Sequence, residues 1–496
     1  MQAKSDLPAY ESLEPAAVWK FFAGLSAHPR PSKKEERVRA HLEGVARELG
    51  LVTRTDAVGN LVIEVPATTG CEAGPVTVLQ GHLDMVCEKN SGTAHDFDRD
   101  PIKLIVDRDA EEGRIVVRSD GTTLGADNGI GLALALAAAT SPEATHGPLE
   151  ILCTIDEEMG MGGASALKPE FLRGRRLLNL DSEDSALYIG CAGGCDATLR
   201  WNLAGEVLPA SSTFCRITVS GLRGGHSGGD IHLHRANAIR TLARTLLEDE
   251  VPSWRLVQVE GGSLRNAIPR EAFAIVAGAT GLAAALTTAA AHVQAETAAL
   301  GEEGCRITVE SIATDGRRAL SGEQSVVCLR TILAIPHGVL GLVVEIPGLV
   351  ESSNNVATVK TETLGERIAV TVGCMARSSS MPELHLVAGQ ITSVGRLGAA
   401  QVEVGNAYPG WKPSLNSPVL KICQAVYRKI YDTEPLVTAI HAGLECGIIG
   451  ERVPGMDMIS FGPDVRGAHS PDERCYVDSV QQNWEYLKGV LLELSR

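Results

Sequence analysis

The chain has 496 residues, 44% of them hydrophobic and 21% charged, the balance of a soluble globular protein with core enough for two to four domains. Its 45 Lys+Arg against 61 Asp+Glu leave a formal net charge of −16. With no basic tract to concentrate positive charge, nucleic acid is excluded as a partner.

In chain order, the opening stretch MQAKSDLPAYESLEPAAVW carries acidic residues and no continuous apolar core, so it is not a secretory signal. Residues 36–49 read as an amphipathic helix stopped by Gly50, 60–65 as a strand, and 76–80 as an apolar strand ending at Gly81. The segment 129–139, GIGLALALAAA, is apolar all round and predicts a buried helix; 149–155 and 176–180 are further short strands. Short buried strands alternating with helices predict an α/β domain with a mixed, largely parallel sheet. The middle reads differently. Segments 214–220, 305–310 and 367–372 alternate polar and apolar residues as half-exposed strands do, with helices over 236–247 and 282–300 between them. This predicts an α+β insert with one open-faced sheet, suggestive of two related halves. Two apolar stretches, 273–293 and 331–350, fall short of a membrane span. The first is rich in Ala, Thr and Gly, and the second is broken by Pro336, His337, Glu345 and Pro347. After the turn-rich link Tyr408–Pro413 the α/β style returns, with a helix over 418–431, a strand over 458–462 and a closing helix over 478–494. The expected organisation is one domain in two parts, 1–204 and 405–496, interrupted by a second over 205–404. The 12 cysteines form no CxxC pair and suit buried thiols in a reducing cytoplasm.

Five spots carry acid or imidazole groups where strands end or helices begin: Gly81-His82-Leu83-Asp84, Gly125-Ala126-Asp127-Asn128-Gly129, Asp156-Glu157-Glu158, Asn179-Leu180-Asp181 and Gly467-Ala468-His469. Ligands of α/β sheets gather at the carboxyl ends of strands. Imidazole mixed with carboxylate suits two divalent metal ions, zinc first, with Co2+ or Mn2+ as alternatives. Two such ions about 3.5–4 Å apart need a carboxylate between them. Asp127, at a helix start between glycines, is the natural bridge; His82 and Asp181 complete one ion's set, Glu158 and His469 the other's. Glu157 is then left to take a proton from the water that the ions activate. Asp84 can accept a hydrogen bond from the second nitrogen of His82 and fix its tautomer. Singly, each motif reads as a turn, a cap or a solvated acidic loop; all five in this order do not.

With these residues the chain resembles the M20 metallopeptidases, and within them the bacterial aminoacyl-histidine dipeptidases. The resemblance runs through QGHLDMVCEKN, HDFDRDPI, GTTLGADNGIGLALAL, LLNLDSED, GLRGGHSGGDIH, LRNAIP, YPGWKP, HAGLECG and GAHSPDE. It implies a zinc-peptidase-like catalytic domain interrupted by a lid, with His82, Asp127, Glu158, Asp181 and His469 as metal ligands. It further implies Glu157 as general base, Asp84 as the acid that orients His82, and His226 as the group stabilising the tetrahedral oxyanion. Asn266 and Arg377 look like the lid groups that hold a substrate's free carboxylate. The implied activity is hydrolysis of dipeptides with a free C-terminus, Xaa-His and β-Ala-His among them, by a cytoplasmic homodimer. Another amidohydrolase of the superfamily (aminoacylase, deacetylase or tripeptidase) is the alternative. His232, His234, His441 and Glu445 receive no role, and His234-Arg235 stand where relatives have small residues.

Overall fold

A computed structural model describes residues 7–313 and 316–496, so the first six residues of the N-terminal stretch lie outside the described residues. The chain forms two compact units. One takes the chain up to Gly190 with 413–439 and 444–496, the other 191–412 and 440–443. Strands β1 (Val52–Thr55), β2 (Leu61–Val65), β3 (Thr77–His82), β4 (Leu149–Thr154), β5 (Arg176–Asn179) and β6 (Leu187–Cys191) come first. Next are β7 (Gly193–Ala204), β8 (Thr213–Ser220), β9 (Trp254–Gly261), β10 (Ala272–Gly278), β11 (Arg306–Ile312), β12 (Gly338–Leu342), β13 (Val350–Leu364), β14 (Arg367–Ser378) and β15 (Gln401–Tyr408). The chain ends through β16 (Val437–Ile440) and β17 (Asp457–Ser460).

The first unit's eight-stranded sheet has the order β1-β2-β4-β3-β5-β17-β6-β16. Its centre is parallel, β4 with β3, β3 with β5, and β5 with β17, while β1, β2 and β6 pair antiparallel. β3 and β4 are buried along their whole length, their apolar residues packed in the core and the polar side chains Gln80, Glu150 and Thr154 buried with them. The helix Ala126–Thr140 lies in the same core, buried on nearly every side. Its small residues let it approach the sheet closely: a Cβ at Gly131 would overlap the carbonyl oxygen of Leu180, the residue before Asp181. A separate four-stranded antiparallel sheet (105–108, 115–118, 474–476, 465–466) carries the turn that holds His469.

The second unit is a nine-stranded sheet ordered β11-β8-β10-β9-β13-β14-β7-β15, with β12 added on β13. The order repeats itself. A hairpin (β9–β10, then β13–β14) is followed by a helix (Leu282–Ala299, then Met381–Leu397), and that helix by an edge strand (β11, then β15). An earlier strand, β8 or β7, fills the gap in each half. Alternate strand residues such as Cys215, Ile217 and Val219 form one apolar cluster with Leu242, Leu286, Leu329 and Ile391 of the helices. β14 runs on to Ser378, past the 367–372 expected from alternation. It is flanked by β13 and β7 and buried on both faces at its end, so the polar–apolar rhythm disappears. Both β7 and β15 pair within this sheet, so the unit starts at Cys191 and runs to Lys412. Among the described residues no helix is long and apolar enough to cross a membrane, and 10 of the 12 cysteines are buried.

The Gly131 contact gives a direct test. Alanine favours helix by about 1 kcal/mol over glycine, yet Gly131→Ala should destabilise the protein by roughly 1–3 kcal/mol through overpacking against Leu180. Denaturant unfolding measures the sign, and a stabilised variant would contradict the packing described.

Candidate metal centre

The convergence of three of the five motifs is a consequence of the sheet order. β4, β3 and β5 are parallel neighbours, so the residues after their C-terminal ends emerge side by side. His82 is the last residue of β3, Glu157 and Glu158 lie in the turn after β4, and Asp181 comes two residues after β5. Asp127 enters its helix from a left-handed Gly125 (φ 71°), where a Cβ would press on Arg30 Nη2 at 2.5 Å and the Met85 sulfur at 2.8 Å. The Asp127–Asn128 peptide is cis. His469 is itself left-handed (φ 62°), in a turn.

Asp127 lies at the centre. Its Oδ1 is 3.0 Å from His82 Nε2, and its Oδ2 is 3.1 Å from His469 Nε2. His82 Nε2 also stands 3.4 Å from Asp181 Oδ1, and His469 Nε2 3.0 Å from Glu158 Oε2. The five residues thus meet as His82–Asp127–Asp181 and His469–Asp127–Glu158. Single ligand atoms of His82, Asp127 and Glu158 lie within 4.8 Å of one another, so the two groups adjoin. Glu158 Oε1 and Asp181 Oδ1 are buried without a hydrogen-bond donor, a costly arrangement unless a cation faces them. Two imidazoles and three carboxylates are a donor set for zinc or a similar divalent ion. The residues present fit a metal pair.

The protonation pattern has the same cause. Hydrogen bonds to Asp127 and Glu158 push the His469 imidazole up to about 11, and burial pushes Asp181 up to about 6. Burial also raises Glu157 well above the carboxylate range, with His82 opposing and Asp181, Glu445 and Glu158 adding. A carboxyl raised in this way holds its proton more tightly than an exposed glutamate. Asp84 behaves oppositely. Burial pushes it up, but the His82 ring, Ser32 and the Glu157 amide outweigh burial and hold it at about 2. Its carboxylate accepts from Ser32 Oγ (2.7 Å) and from the backbone amides of Glu157 (3.0 Å) and Glu158 (3.2 Å). The nearer partner of His82 Nδ1 is the Asp84 backbone carbonyl at 3.2 Å, with the carboxylate at 3.5 Å.

Beneath the ligands runs a buried polar row that the sequence motifs do not single out. Gln80, Asn179 and Ser460 are register partners on β3, β5 and β17. Ser460 donates to Asn179 Oδ1, Asn179 Nδ2 to Gln80 Oε1 (2.5 Å), and Gln80 Nε2 to Glu445 Oε2 (2.7 Å). Thr154 donates to the same Glu445 oxygen (2.6 Å), while Glu445 Oε1 is buried without a partner. The available signal was a polar residue ending each of several apolar strands.

The remaining expected residues lie in the second unit. His226 Nδ1 accepts from the Gly229 amide (2.9 Å), and His226 pairs with Ala267 across a two-residue ladder, next to Asn266. Asn266 is exposed. Arg377 is buried, donates to the Tyr408 hydroxyl (2.9 Å) and has an Nε without a partner. Opposite it on β13, Ser353 hydrogen-bonds His441 Nε2 at 2.7 Å. Burial, with Arg377 adding, drives that imidazole down to about 3, which keeps it neutral. His232 and His234 are exposed.

This fold and site belong to a class of peptide-bond hydrolases: the model of peptidase family M20/M25/M40 matches residues 78–493, and the chain belongs to that family. The cytosol non-specific dipeptidase of Escherichia coli (strain K12) is 40% identical over 487 residues, 97% of this chain and 98% of that one. The crystal structure of the aminoacylhistidine dipeptidase from Vibrio alginolyticus matches with a TM-score of 0.86 at 41% identity, covering 98% of both chains. The aminopeptidase PepT from Bacillus cereus shares the fold at a TM-score of 0.61 and 16% identity, over 98% of this chain and 100% of its own.

The Glu445 carboxyl carries a pH signature. Burial pushes it up to about 7, above the unfolded carboxylate value of about 4.3. The stability it contributes is therefore full below the unfolded value and lost as pH rises through the folded one. Chelator-treated protein should lose thermal stability between about pH 4 and about pH 7, and Glu445→Gln, which mimics the neutral acid, should remove this part of the loss. An unchanged pH slope in the variant would contradict the assignment.

Proposed function

We propose that the first unit is a dinuclear metallopeptidase domain, that the second is its lid, and that the protein hydrolyses dipeptides with a free C-terminus. The observation that carries this reading is the Asp127 carboxylate, whose two oxygens face two imidazoles that each face a further carboxylate. Divalent ions at such a site supply Lewis acidity, polarising a carbonyl and making water acidic enough to attack at neutral pH. His82 and Asp181 would hold one ion and His469 and Glu158 the other, with Asp127 shared. Zinc is the proposed metal, and the same donors admit Co2+ or Mn2+.

Glu157 is assigned the proton traffic, taking a proton from the attacking water and returning it to the leaving amine. Its carboxyl is buried within reach of the charges of His82, Asp181 and Glu158, and its raised proton affinity suits holding a proton between the two transfers. Asp84 grips the Glu157 and Glu158 amides and flanks His82, so one carboxylate orients the base and a ligand together. In the second unit, His226 is assigned to the oxyanion. Because Nδ1 accepts a backbone hydrogen bond, the neutral ring carries its proton on Nε2 as a donor. Asn266 and Arg377 are assigned to the substrate's free carboxylate, which a guanidinium grips with paired hydrogen bonds; such an anchor limits substrates to very short peptides.

The names of the Escherichia coli and Vibrio relatives, a cytosol non-specific dipeptidase and an aminoacylhistidine dipeptidase, support a dipeptidase of the cytoplasm that accepts Xaa-His substrates. β-Ala-His is a proposed substrate, and a homodimer the proposed assembly.

Glu157→Ala should lower hydrolysis of a Xaa-His dipeptide by about 10³-fold or more, while elemental analysis still finds about two ions per chain. Retained turnover would refute the base. Faster hydrolysis of an N-acetyl amino acid or a tripeptide than of any dipeptide would replace the dipeptidase reading with the aminoacylase, deacetylase or tripeptidase alternative.

A further inference from the structure

Besides Asp84, two deeply buried charged side chains outside the ligand set are anchored on backbone groups around the site: Glu473 and Arg30, each 2% exposed. Glu473 stands four residues after His469. Its Oε2 accepts from the amides of Leu124 (2.7 Å) and Gly125 (2.9 Å), and its Oε1 from those of Ala126 (2.7 Å) and Asp127 (3.2 Å). Four consecutive amides of the segment that delivers Asp127 therefore converge on one carboxylate arriving from the turn that delivers His469.

That turn is closed upon itself. Ser470 Oγ donates to the Gly467 carbonyl at 2.7 Å, the Glu473 amide donates to the Ser470 carbonyl at 3.1 Å, and the Asp472 amide donates to Ser470 Oγ at 3.2 Å. With so little slack between residues 467 and 473, a shift of the Glu473 carboxylate is passed on to His469. On the other side of the same segment, Arg30 donates to the carbonyls of Leu83 (3.0 Å), Asp84 (2.8 Å) and Gly125. One buried acid and one buried base thus tie together the segments bearing His82, Asp127 and His469. A carboxylate buried this far is tolerable because charge-assisted bonds from four consecutive backbone amides, together with the nearby Arg30 guanidinium, replace its hydration.

We propose that Glu473 is a positioning residue for the metal pair, which by holding the amides of residues 124–127 sets the spacing of His469 from Asp127 and so the affinity of the ion held by His469, Asp127 and Glu158. The proposal rests on the dinuclear reading of the site and adds a residue outside its ligand set. The chemistry demands both length and two acceptors. Glutamine would turn an NH2 group toward two amide donors, and aspartate, one methylene shorter, cannot reach all four.

The test is calorimetric titration of Mn2+ into metal-free wild type, Glu473→Gln and Glu473→Asp, at a temperature where circular dichroism shows each protein folded. A residue that merely supports the fold would lower the melting temperature and leave the affinity of the folded protein unchanged. Positioning predicts that Glu473→Gln weakens one of the two sites about 10- to 100-fold and that Glu473→Asp weakens the same site about 10-fold. The aspartate variant, which keeps the charge, decides the matter if the glutamine variant does not fold. Two dissociation constants within about twofold of wild type in either folded variant would overturn the proposal. Wild type that binds fewer than two ions overturns the dinuclear reading and the proposal with it, and the wild-type titration alone tells these failures apart.

Discussion

The Asp127 carboxylate divides its oxygens between His82 and His469, partners 45 and 342 residues away in the chain, and it can do so only if three segments are held in register to within a fraction of an ångström. Around it stand the carboxylates of Asp181 and Glu158, each with a buried oxygen lacking a donor. Mutual repulsion and lost hydration oppose this crowding, and both proton uptake by the acids and positive charge between them offset it. Much of what is unusual in the first unit answers to that demand: glycine where backbone must pass close to a side chain, polar groups ending apolar strands, and charged side chains buried to bind backbone.

The parallel centre of the sheet makes the crowding achievable. β4, β3 and β5 deliver their following residues from one end, so the separation of His82 and Asp181 is inherited from strand spacing, while the turn that carries Glu158 is held by Asp84. Asp127 and His469 lack that support, since they come from a helix start and a turn. The structure gives these two additional bonds: the amides around Asp127 and the turn after His469 meet in Glu473. The polar row from Ser460 through Asn179 and Gln80 to Glu445 fixes the strand ends from beneath. Hydrogen-bonded in series, such a row stiffens its surroundings, and only the Glu445 Oε1 at its end is left without a partner in it.

The motifs at residues 82, 127, 158, 181 and 469 were legible in the sequence because each joins a ligand-type side chain to a strand end or a glycine turn. The division of Asp127 between His82 and His469 followed from charge and from the need for a shared carboxylate. Glu473 was not legible. Its partners are backbone amides, which any sequence supplies, and in GAHSPDE it reads as one more acid in a turn. Gln80 and Asn179 were hidden for a related reason, since each pairs with a residue on a neighbouring strand whose register no local pattern reveals. The far end of β14, with Arg377, escaped the alternation rule because a strand flanked on both sides is buried on both faces.

The most direct measurement is electron paramagnetic resonance of the protein loaded with two equivalents of Mn2+. A shared Asp127 carboxylate predicts an exchange-coupled pair, whose spectrum reverts to that of at most one isolated ion in Asp127→Ala. Two independent six-line signals in the wild type, or an unchanged coupled spectrum in Asp127→Ala, would contradict the account.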